Sequence, residues 1–508
     1  MEASENKKIV LNTGVLYIKL IISVIIGLYT SRVVLLALGA SDYGLYTIVG
    51  GIVTMMNFLG TTMVSVTYRY IVVEFGKGKE GNPNKVFNPV FVIHIVLMLL
   101  LLVGGEFFGT YYINNVAKFE VSKIEDAIFV LHMSLIATAL SIISIPFNGL
   151  IIAREKFIFT AFVEIATALV KLGLVIFLLH YMGNKLRLYS VIAAFYAAIL
   201  PISLFIYSFL KEKETIKWKF NSKIYEYKDI CKYAFWIMTG AVASMGQNQG
   251  SNMIINYFFN TVVNAAFGIG FQINSYVMMF VQSLNQAAVP QIMKSQSANN
   301  SKRSLTLVYG ITKVAFFIML IPTIPLIINI NFILKAWLKE VPPYTNTFAV
   351  LLLVCGLIRC LGAGFDSSIQ ATGKIKPYQI FYSLAYLMVL PVSYMLFIWK
   401  MPVYSILVCT IFAAISVWVF QILYLSKITE FNIKHYFQTT IRKCLLVATL
   451  SMPLFAFILI SDGSFCWFVA SCMLSLIWIL FVIYKYGCTD NERLLLVNLV
   501  SKYSKKII

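Results

Sequence analysis

Residues 157–181 read FIFTAFVEIATALVKLGLVIFLLHY, an apolar run in which Glu164 and Lys171 are the only charged side chains. A helix rises about 1.5 Å per residue, so about 20 apolar residues cross the hydrocarbon core of a bilayer, which is roughly 30 Å thick. This run therefore predicts a transmembrane helix. The same length criterion can be applied to the rest of the chain.

The composition of the whole chain agrees with a membrane protein. Of its 508 residues, 60% are hydrophobic and 12% are charged, whereas a soluble domain has about 25% charged residues. This balance argues against a soluble enzyme, a disordered chain and a nucleic-acid-binding protein. Fourteen spans are predicted, at roughly 11–38, 43–66, 87–109, 127–152, 157–181, 188–210, 231–256, 262–286, 305–334, 346–371, 377–399, 403–427, 443–460 and 464–486.

The net charge of +20 is explained largely by membrane topology. If the N-terminus is cytoplasmic, the predicted cytoplasmic segments hold 25 Lys and Arg residues and the outer loops hold 7. Lys and Arg accumulate in the cytoplasmic loops of membrane proteins. The pattern thus predicts that both termini are cytoplasmic, and no nucleic-acid partner is needed to explain the positive charge.

A weak internal repeat divides the predicted spans into halves. Asn148 and Lys156 after the fourth span correspond to Asp366 and Lys374 after the tenth, at a constant offset of 218 residues. Six spans per half is an even number, so both halves begin on the same side, which predicts two parallel six-helix lobes. The predicted domains are an N-lobe (1–215), a C-lobe that begins with a basic interfacial linker (216–430), and an extra helix pair with a basic tail (431–508).

Ionisable residues inside spans are energetically costly, so each one is a candidate functional residue. Seven residues turn a helix by about 700°, so Glu164 and Lys171 share one face, and so do Arg359 and Asp366. Cations near the middle of a span in each half fit a central cavity. Salt bridges that only hold helices together are the alternative. Further charged candidates are Lys19 and Arg32 in the first span and Lys313 in the ninth.

Amide side chains form a second candidate feature. In the seventh span Asn248 and Asn252 belong to a polar stripe that recurs every four residues. Amides both donate and accept hydrogen bonds, which suits sugar hydroxyls. They also hold helices together in lipid, so a structural role is the alternative.

Signatures of an enzyme are missing from the sequence. There is no GxxxxGK[ST] loop for ATP binding, and the four His and eight Cys have no metal-ligand spacing. We therefore predict no catalytic residues, no metal site and no cofactor.

Several stretches resemble the Wzx-type polysaccharide and O-antigen flippases of the multidrug/oligosaccharidyl-lipid/polysaccharide (MOP) exporter superfamily. They include LGASDYGLY at 38–46, PFNGLIIAREKF at 146–157, NAAFGI at 264–269 and LKAWL at 334–338. The similarity extends over roughly the first twelve predicted spans. These are diffuse membrane-loop patterns rather than a catalytic signature.

The resemblance implies a fold and a function. The implied fold is an all-α polytopic membrane protein with about 14 transmembrane helices, in two MATE/MOP-like six-helix lobes around a cationic central cavity, plus the C-terminal pair. The implied function is to flip undecaprenyl-pyrophosphate-linked oligosaccharides across the bacterial inner membrane by alternating access. Membrane lipids are expected partners, and so are a polysaccharide polymerase and chain-length proteins.

Specific residue roles follow from that resemblance. Cations would bind the pyrophosphate, amides would bind sugars, and Asp366 or Glu164 would couple transport to a proton or sodium gradient. The expected substrate-binding residues are Lys171, Arg359, Lys19, Lys313, Arg32, Asn248 and Asn252.

Two other functions remain open at this stage. A cation-coupled drug or metabolite antiporter of the same fold would need a dominant intramembrane carboxylate in the first lobe, where Glu164 is the candidate. An envelope polymerase or acyltransferase would need a long outer loop, and the longest predicted outer loop, about 110–126, is short.

Overall fold

The structure is a computed structural model that describes residues 2–115, 121–219, 224–259, 261–298, 300–338, 341–460, 464–490 and 492–494. Within these ranges the regular secondary structure is helical, as predicted. The α-helices are α1 (Glu2–Gly76), α2 (Pro83–Asn115), α3 (Ile124–Ala153), α4 (Phe157–His180), α5 (Lys185–Lys211), α6 (Lys213–Ile216), α7 (Ile224–Phe258), α8 (Thr261–Ser297), α9 (Ser301–Ile328), α10 (Ile330–Trp337), α11 (Thr345–Cys360), α12 (Phe365–Thr372), α13 (Lys376–Leu387), α14 (Val389–Ile398), α15 (Ser405–Ile428), α16 (Ile433–Tyr436), α17 (Arg442–Ser451), α18 (Phe457–Ile460) and α19 (Phe465–Val482).

The chain is a multi-pass membrane protein. Among the described residues, nine helical segments are long and apolar enough to cross a membrane, and the bent pair of α11 and α12 makes a tenth. The helices α1, α7 and α8 are not among these ten. The predicted total of fourteen spans therefore stays a prediction.

The helix α1 contains one break, at Gly39, where φ is 76° and ψ is 169°. This backbone conformation is essentially restricted to glycine, because a Cβ atom would clash with the backbone. The break lies between the predicted spans 11–38 and 43–66. The 75 residues of α1 therefore form two helical segments joined at a single glycine.

The chain divides into two compact units. The first unit is Met1–Ala241 with Gln286–Asn300, and the second is Val242–Asn285 with Ser301–Ile508. In the first unit, a buried apolar cluster that includes Val34, Leu178 and Tyr189 joins α1, α4 and α5. The lobe boundaries predicted at residues 215 and 430 stay a prediction.

The second unit contains a broken span. The sequence predicts one span over 346–371, but the helix stops at Cys360 and restarts at Phe365 with a bend of 43°. Gly364 in the break has φ of 84°, in the left-handed region that favours glycine. Irregular backbone at membrane depth is tolerated where it is buried in protein or lines a cavity. A cavity is therefore expected beside this break.

Candidate functional site

A cavity of about 410 Å³ in the second unit lies beside the helix break and is called the second-unit cavity below. Arg359, just before the break, and Asp366, just after it, both line this cavity and are both exposed there. The two charged residues that the sequence places on one face of a span therefore open into one cavity. The size is within the range of small-ligand pockets, about 300–1,000 Å³.

The Arg359 guanidinium lies 5.0 Å from the centre of the Tyr386 ring. Among the residues that the structure describes, no carboxylate lies within ion-pair distance of Arg359. A cation–π contact contributes about 0.5–2 kcal/mol and leaves the charge of the guanidinium without a counter-ion. Arg359 thus presents a positive charge to which an anion could bind.

The Asp366 carboxylate is held by two hydrogen-bond donors. The Tyr378 hydroxyl donates to Asp366 Oδ1, and the Gln421 amide donates to the same oxygen at 2.8 Å. Gln421 Nε2 also lies 3.1 Å from the Tyr378 hydroxyl. These contacts orient the carboxylate and leave it accessible from the cavity, an arrangement that can exchange a proton or accept a cation.

Three tyrosines connect the two charged residues. Tyr378, Tyr382 and Tyr386 lie one turn apart on α13 and all line the second-unit cavity. Their ring centres are 5.9 Å and 4.7 Å apart in sequence order. The row begins at Asp366 and ends at Arg359, so α13 forms one wall of the site. The three tyrosines were not predicted to form part of a site, although their four-residue spacing is visible in YQIFYSLAY (378–386).

The helix break is held by side chains from other helices. The hydroxyl of Thr312 on α9 donates to the carbonyl of Ala363, and the hydroxyl of Tyr436 on α16 donates to the carbonyl of Leu361. Carbonyls freed by a helix break need such partners when buried. Both residues are distant in sequence from the break, so no local pattern indicates their role.

A second cavity, of about 590 Å³, lies in the first unit and is called the first-unit cavity below. Its lining includes Ser141, Asn148 and Tyr196. The Asn148 side chain makes no hydrogen bond to any residue in the described ranges. The Lys171 ammonium lies 4.6 Å from the centre of the Tyr196 ring, so a cation lies beside this cavity as well.

The two cavities correspond through the internal repeat. At the offset of 218 residues, seven first-unit lining residues correspond to second-unit lining residues. The pairs are Val64 and Gln282, Ser141 and Arg359, Ser144 and Gly362, Ile145 and Ala363, Asn148 and Asp366, Tyr196 and Ala414, and Leu200 and Trp418. The repeat therefore extends to the sites, and only the second-unit copy has charged residues at the shared positions.

Glu164 and Lys19 form an ion pair in the first unit, with Lys19 Nζ 2.8 Å from Glu164 Oε2. The Lys19 side chain is 16% exposed, and the Glu164 side chain is 35% exposed. Lys171 shares a helix face with Glu164, but no carboxylate of the described chain lies within ion-pair distance of its ammonium. The partner of Glu164 is therefore on α1, and Lys171 remains available to other ligands.

Lys313 is engaged by the C-terminal segment. Its ammonium donates to both oxygens of Glu492, at 2.7 and 2.6 Å, and its side chain is only 7% exposed. Burial raises the pKa of Glu492, but hydrogen bonds from Lys313 and from the Thr489 backbone outweigh burial and lower it below its usual value. In this arrangement the charge of Lys313 is neutralised by Glu492.

The remaining predicted residues lie outside both cavities or outside the described side chains. Asn252 donates from its side chain to the Asn248 carbonyl at 3.1 Å, and both residues are half-buried. Gln247, which precedes the stripe residue Asn248, is buried, and its amide donates to Ser251 at 3.1 Å and to Thr410 on α15 at 3.5 Å. Arg32 is part of α1, and its side chain lies outside the described part of the structure.

A third cavity, of about 1,070 Å³, is larger than these two and lies at the ends of α1, α3 and α5 in the first unit. Its charged lining residues largely neutralise one another. Arg154 pairs with Glu212 at 2.7 Å, and Lys294 pairs with Glu155 at 3.5 Å. This mixed lining gives no net preference for a charged ligand, so size alone does not make it the candidate site.

Comparison with solved structures identifies the fold class. A structure of MATE in complex with MaL6 superposes with a TM-score of 0.69 at 12% identity, over 82% of this chain and 95% of that chain. An outward-facing multidrug resistance MATE family transporter of the MOP superfamily gives a TM-score of 0.69 at 14% identity, over 84% and 96%. A MOP superfamily transporter from Pyrococcus furiosus, for which reverse polarity of the binding pocket suggests a different function, gives 0.65 at 14% identity, over 82% and 95%.

These similarities show the fold of the MOP superfamily transporters. No family model matches the sequence, and no curated protein matches it. The fold agrees with the resemblance found in the sequence, and identities of 12–14% carry no information about the subfamily or the substrate.

Proposed function

We propose that this protein is a flippase that moves an anionic, lipid-linked oligosaccharide across the bacterial inner membrane by alternating access. The substrate class is an undecaprenyl-pyrophosphate-linked repeat unit used for O-antigen, capsule or exopolysaccharide. The observation that carries the proposal is that two cations, Lys171 and Arg359, lie inside apolar spans. Each makes a cation–π contact with a tyrosine ring, and neither has a carboxylate of the described residues within ion-pair distance.

Electrostatics supports an anionic substrate over a cationic one. A charge held inside the membrane region interacts strongly with a ligand, because the surrounding dielectric is low. A pyrophosphate would be attracted by a cation such as Arg359 in the second-unit cavity or Lys171 beside the first-unit cavity, whereas a cationic drug would be repelled by either. The P. furiosus transporter, described with a binding pocket of reverse polarity, supports the idea that this fold hosts pockets of different charge.

Asp366 is the better candidate for ion coupling. Glu164 is already paired with Lys19 at 2.8 Å, whereas the neighbours of Asp366 are the neutral donors Tyr378 and Gln421. A carboxylate without a cationic partner can take up a proton or a sodium ion without first breaking a salt bridge. We therefore assign coupling to Asp366 and a structural role to Glu164.

The test is genetic and biochemical. A strain that lacks the gene is expected to lose its surface polysaccharide and to accumulate lipid-linked oligosaccharide on the cytoplasmic face of the membrane. Complementation with Lys171→Ala or Arg359→Ala is expected to fail at normal protein level. Lys427→Ala, which removes an exposed lysine near the end of α15, is the control and should complement. Full complementation by both test variants would refute the proposed substrate site.

The second candidate is a drug or metabolite antiporter. The similarity to a multidrug resistance MATE transporter favours it, as does the carboxylate of Asp366 in a cavity. In that case deletion of the gene would raise the cellular accumulation of cationic dyes and leave the lipid-linked sugars unchanged. The same deletion strain thus separates the two functions.

A further inference from the structure

Two asparagines of α2 fix the conformation of the segment 211–219 (KEKETIKWK), which follows α5 on the way to α7. Asn84 Nδ2 donates to the carbonyls of Thr215 and Lys217 at 2.9 and 2.7 Å. Asn88 Nδ2 donates to the Lys217 carbonyl at 3.2 Å, and its Oδ1 accepts from the Lys219 backbone at 3.2 Å. The segment therefore presents its side chains from a defined backbone.

The lysines of this segment point to an anionic partner. Lys211, Lys213, Lys217 and Lys219 are all exposed, and no carboxylate of the described residues lies within ion-pair distance of any of them. Of the two acidic residues in the segment, Glu212 is engaged by Arg154 at 2.7 Å, and Glu214 is exposed. The segment thus carries four lysines against one carboxylate that is not paired with Arg154.

Apolar side chains beside these lysines indicate a membrane surface. The Trp218 side chain is 55% exposed, and its ring lies 6.1 Å from that of Phe91 on α2. Phe209 and Leu210, at the end of the membrane-spanning helix α5, are also exposed. Tryptophan is enriched at the boundary between hydrocarbon and headgroups, and the lysines begin where the apolar helix ends.

We propose that the segment 211–219 binds the headgroups of anionic phospholipids in the leaflet that the charge pattern predicts to be cytoplasmic. The Trp218 ring lies among the upper acyl chains, and the lysines contact the lipid phosphates. Each lysine near an anionic surface strengthens binding by about fivefold. This lipid contact is separate from the transported substrate, and it does not rest on the proposed function.

The location can be tested by fluorescence quenching in vesicles. The full-length protein is reconstituted with phosphatidylcholine or with phosphatidylglycerol, each carrying brominated acyl chains, and the spectrum of the Trp218→Phe variant is subtracted to isolate Trp218. We expect stronger quenching of Trp218 by brominated phosphatidylglycerol, and a smaller difference at high salt because surface charges are screened. Equal quenching by the two lipids at low salt would overturn the proposal.

A charge-matched pair of variants assigns the preference to this segment. The triple variant Lys213→Gln, Lys217→Gln, Lys219→Gln should lose at least about tenfold in relative affinity for phosphatidylglycerol, measured by native mass spectrometry of lipids retained on the protein. The control Lys374→Gln, Lys427→Gln, Lys434→Gln removes three exposed lysines elsewhere and should keep the preference. An unchanged preference in the test variant, or an equal loss in both, would refute the assignment.

Discussion

The two cavities occupy the same positions of an internal repeat but differ in charge and in backbone. The first-unit cavity has Ser141 and Asn148 where the second-unit cavity has Arg359 and Asp366. Gly364 in the helix break corresponds to Pro146 in the continuous helix α3 at the same offset of 218. One framework has thus been kept in both units, and the chemistry proposed for anion binding and ion coupling is concentrated in one of them.

The units also differ in how they neutralise a lysine that is largely removed from solvent. The first unit pairs Lys19 on α1, with a side chain 16% exposed, with Glu164 on α4. The second unit pairs Lys313 with Glu492, which comes from beyond the last predicted span. A cation inside a span is therefore a candidate for substrate binding only if no carboxylate of the protein already neutralises it, as Glu164 and Glu492 do here.

The largest expected effect is at Arg359. Arg359→Ala removes the positive charge that lines the second-unit cavity and should lower the rate of polysaccharide export by about 30- to 150-fold, the equivalent of a charged hydrogen bond of about 2–3 kcal/mol. Ser141→Ala, the change at the equivalent position of the first-unit cavity, should change export by less than about twofold. Export is measured as surface polysaccharide per cell, normalised to protein level. Equal effects of the two variants would contradict the asymmetry of the cavities.

The next effect concerns ion coupling. Asp366→Asn makes the second-unit cavity resemble the first-unit cavity, which has Asn148 at the equivalent position. Without the carboxylate, gradient-driven transport should fall by about tenfold, while exchange without a gradient is retained. Asn148→Asp in the first unit is the matched change and should not restore coupling. The measurement is substrate movement in vesicles with and without an imposed proton or sodium gradient. Retained gradient dependence in Asp366→Asn would refute the coupling role.

A smaller effect is expected for the pair Lys313 and Glu492. Glu492→Gln leaves the buried lysine without its carboxylate and should destabilise the second unit by about 1–2 kcal/mol, at the lower end for ion pairs because Glu492 is 36% exposed to solvent. Lys313→Met should destabilise it less, because Glu492 can regain contact with water. Thermal unfolding in detergent measures both. A larger loss for Lys313→Met would contradict the burial argument.

The same pair predicts a pH dependence. The folded protein lowers the pKa of Glu492 below its usual value of 4.5. The stabilisation is therefore fully present above that usual value, and it is lost as the pH falls below it through the folded pKa. The wild type should lose more stability than Glu492→Gln when the pH is lowered from 6 to about 4. Parallel curves for the two proteins would show that the pair contributes nothing.

The smallest effect is expected at the helix break. Gly364→Ala places a Cβ at φ of 84° and should destabilise the second unit by about 1 kcal/mol. Gly310→Ala, on α9 where no atom lies within 4 Å of the added Cβ, is the control and should be neutral or stabilising. Thermal unfolding again provides the measurement. An unaffected Gly364→Ala variant would mean that the break does not require glycine.

The sequence predicts the helices well because their signal is local. The predicted spans 127–152 and 157–181 agree closely with α3 and α4, since apolar runs of the right length determine both. The break in the span over 346–371 was missed, although Gly362 and Gly364 lie within it. Two glycines in an apolar run are also compatible with a continuous helix, so the pattern alone did not distinguish the two outcomes.

The candidate site is less accessible from sequence because its contacts are between distant residues. The structure places Arg359 and Asp366 in one cavity, but the helix is broken between them, so the helical periodicity that predicted a shared face does not hold across residues 361–364. The partners Tyr378 and Gln421 of Asp366, and the partner Glu492 of Lys313, are separated from them by 12 to 179 residues. Such pairs depend on how helices pack, which a single sequence does not reveal.

The most direct test of the central claim is a flipping assay with purified protein. The full-length protein is reconstituted in vesicles that contain a lipid-linked pyrophosphate oligosaccharide, and a membrane-impermeant sugar-modifying enzyme reports how much of it reaches the outer leaflet. We predict that the wild type makes the whole pool accessible, whereas Arg359→Ala leaves about half of it protected, as in vesicles without protein. Equal accessibility with the wild type and with empty vesicles would contradict the account.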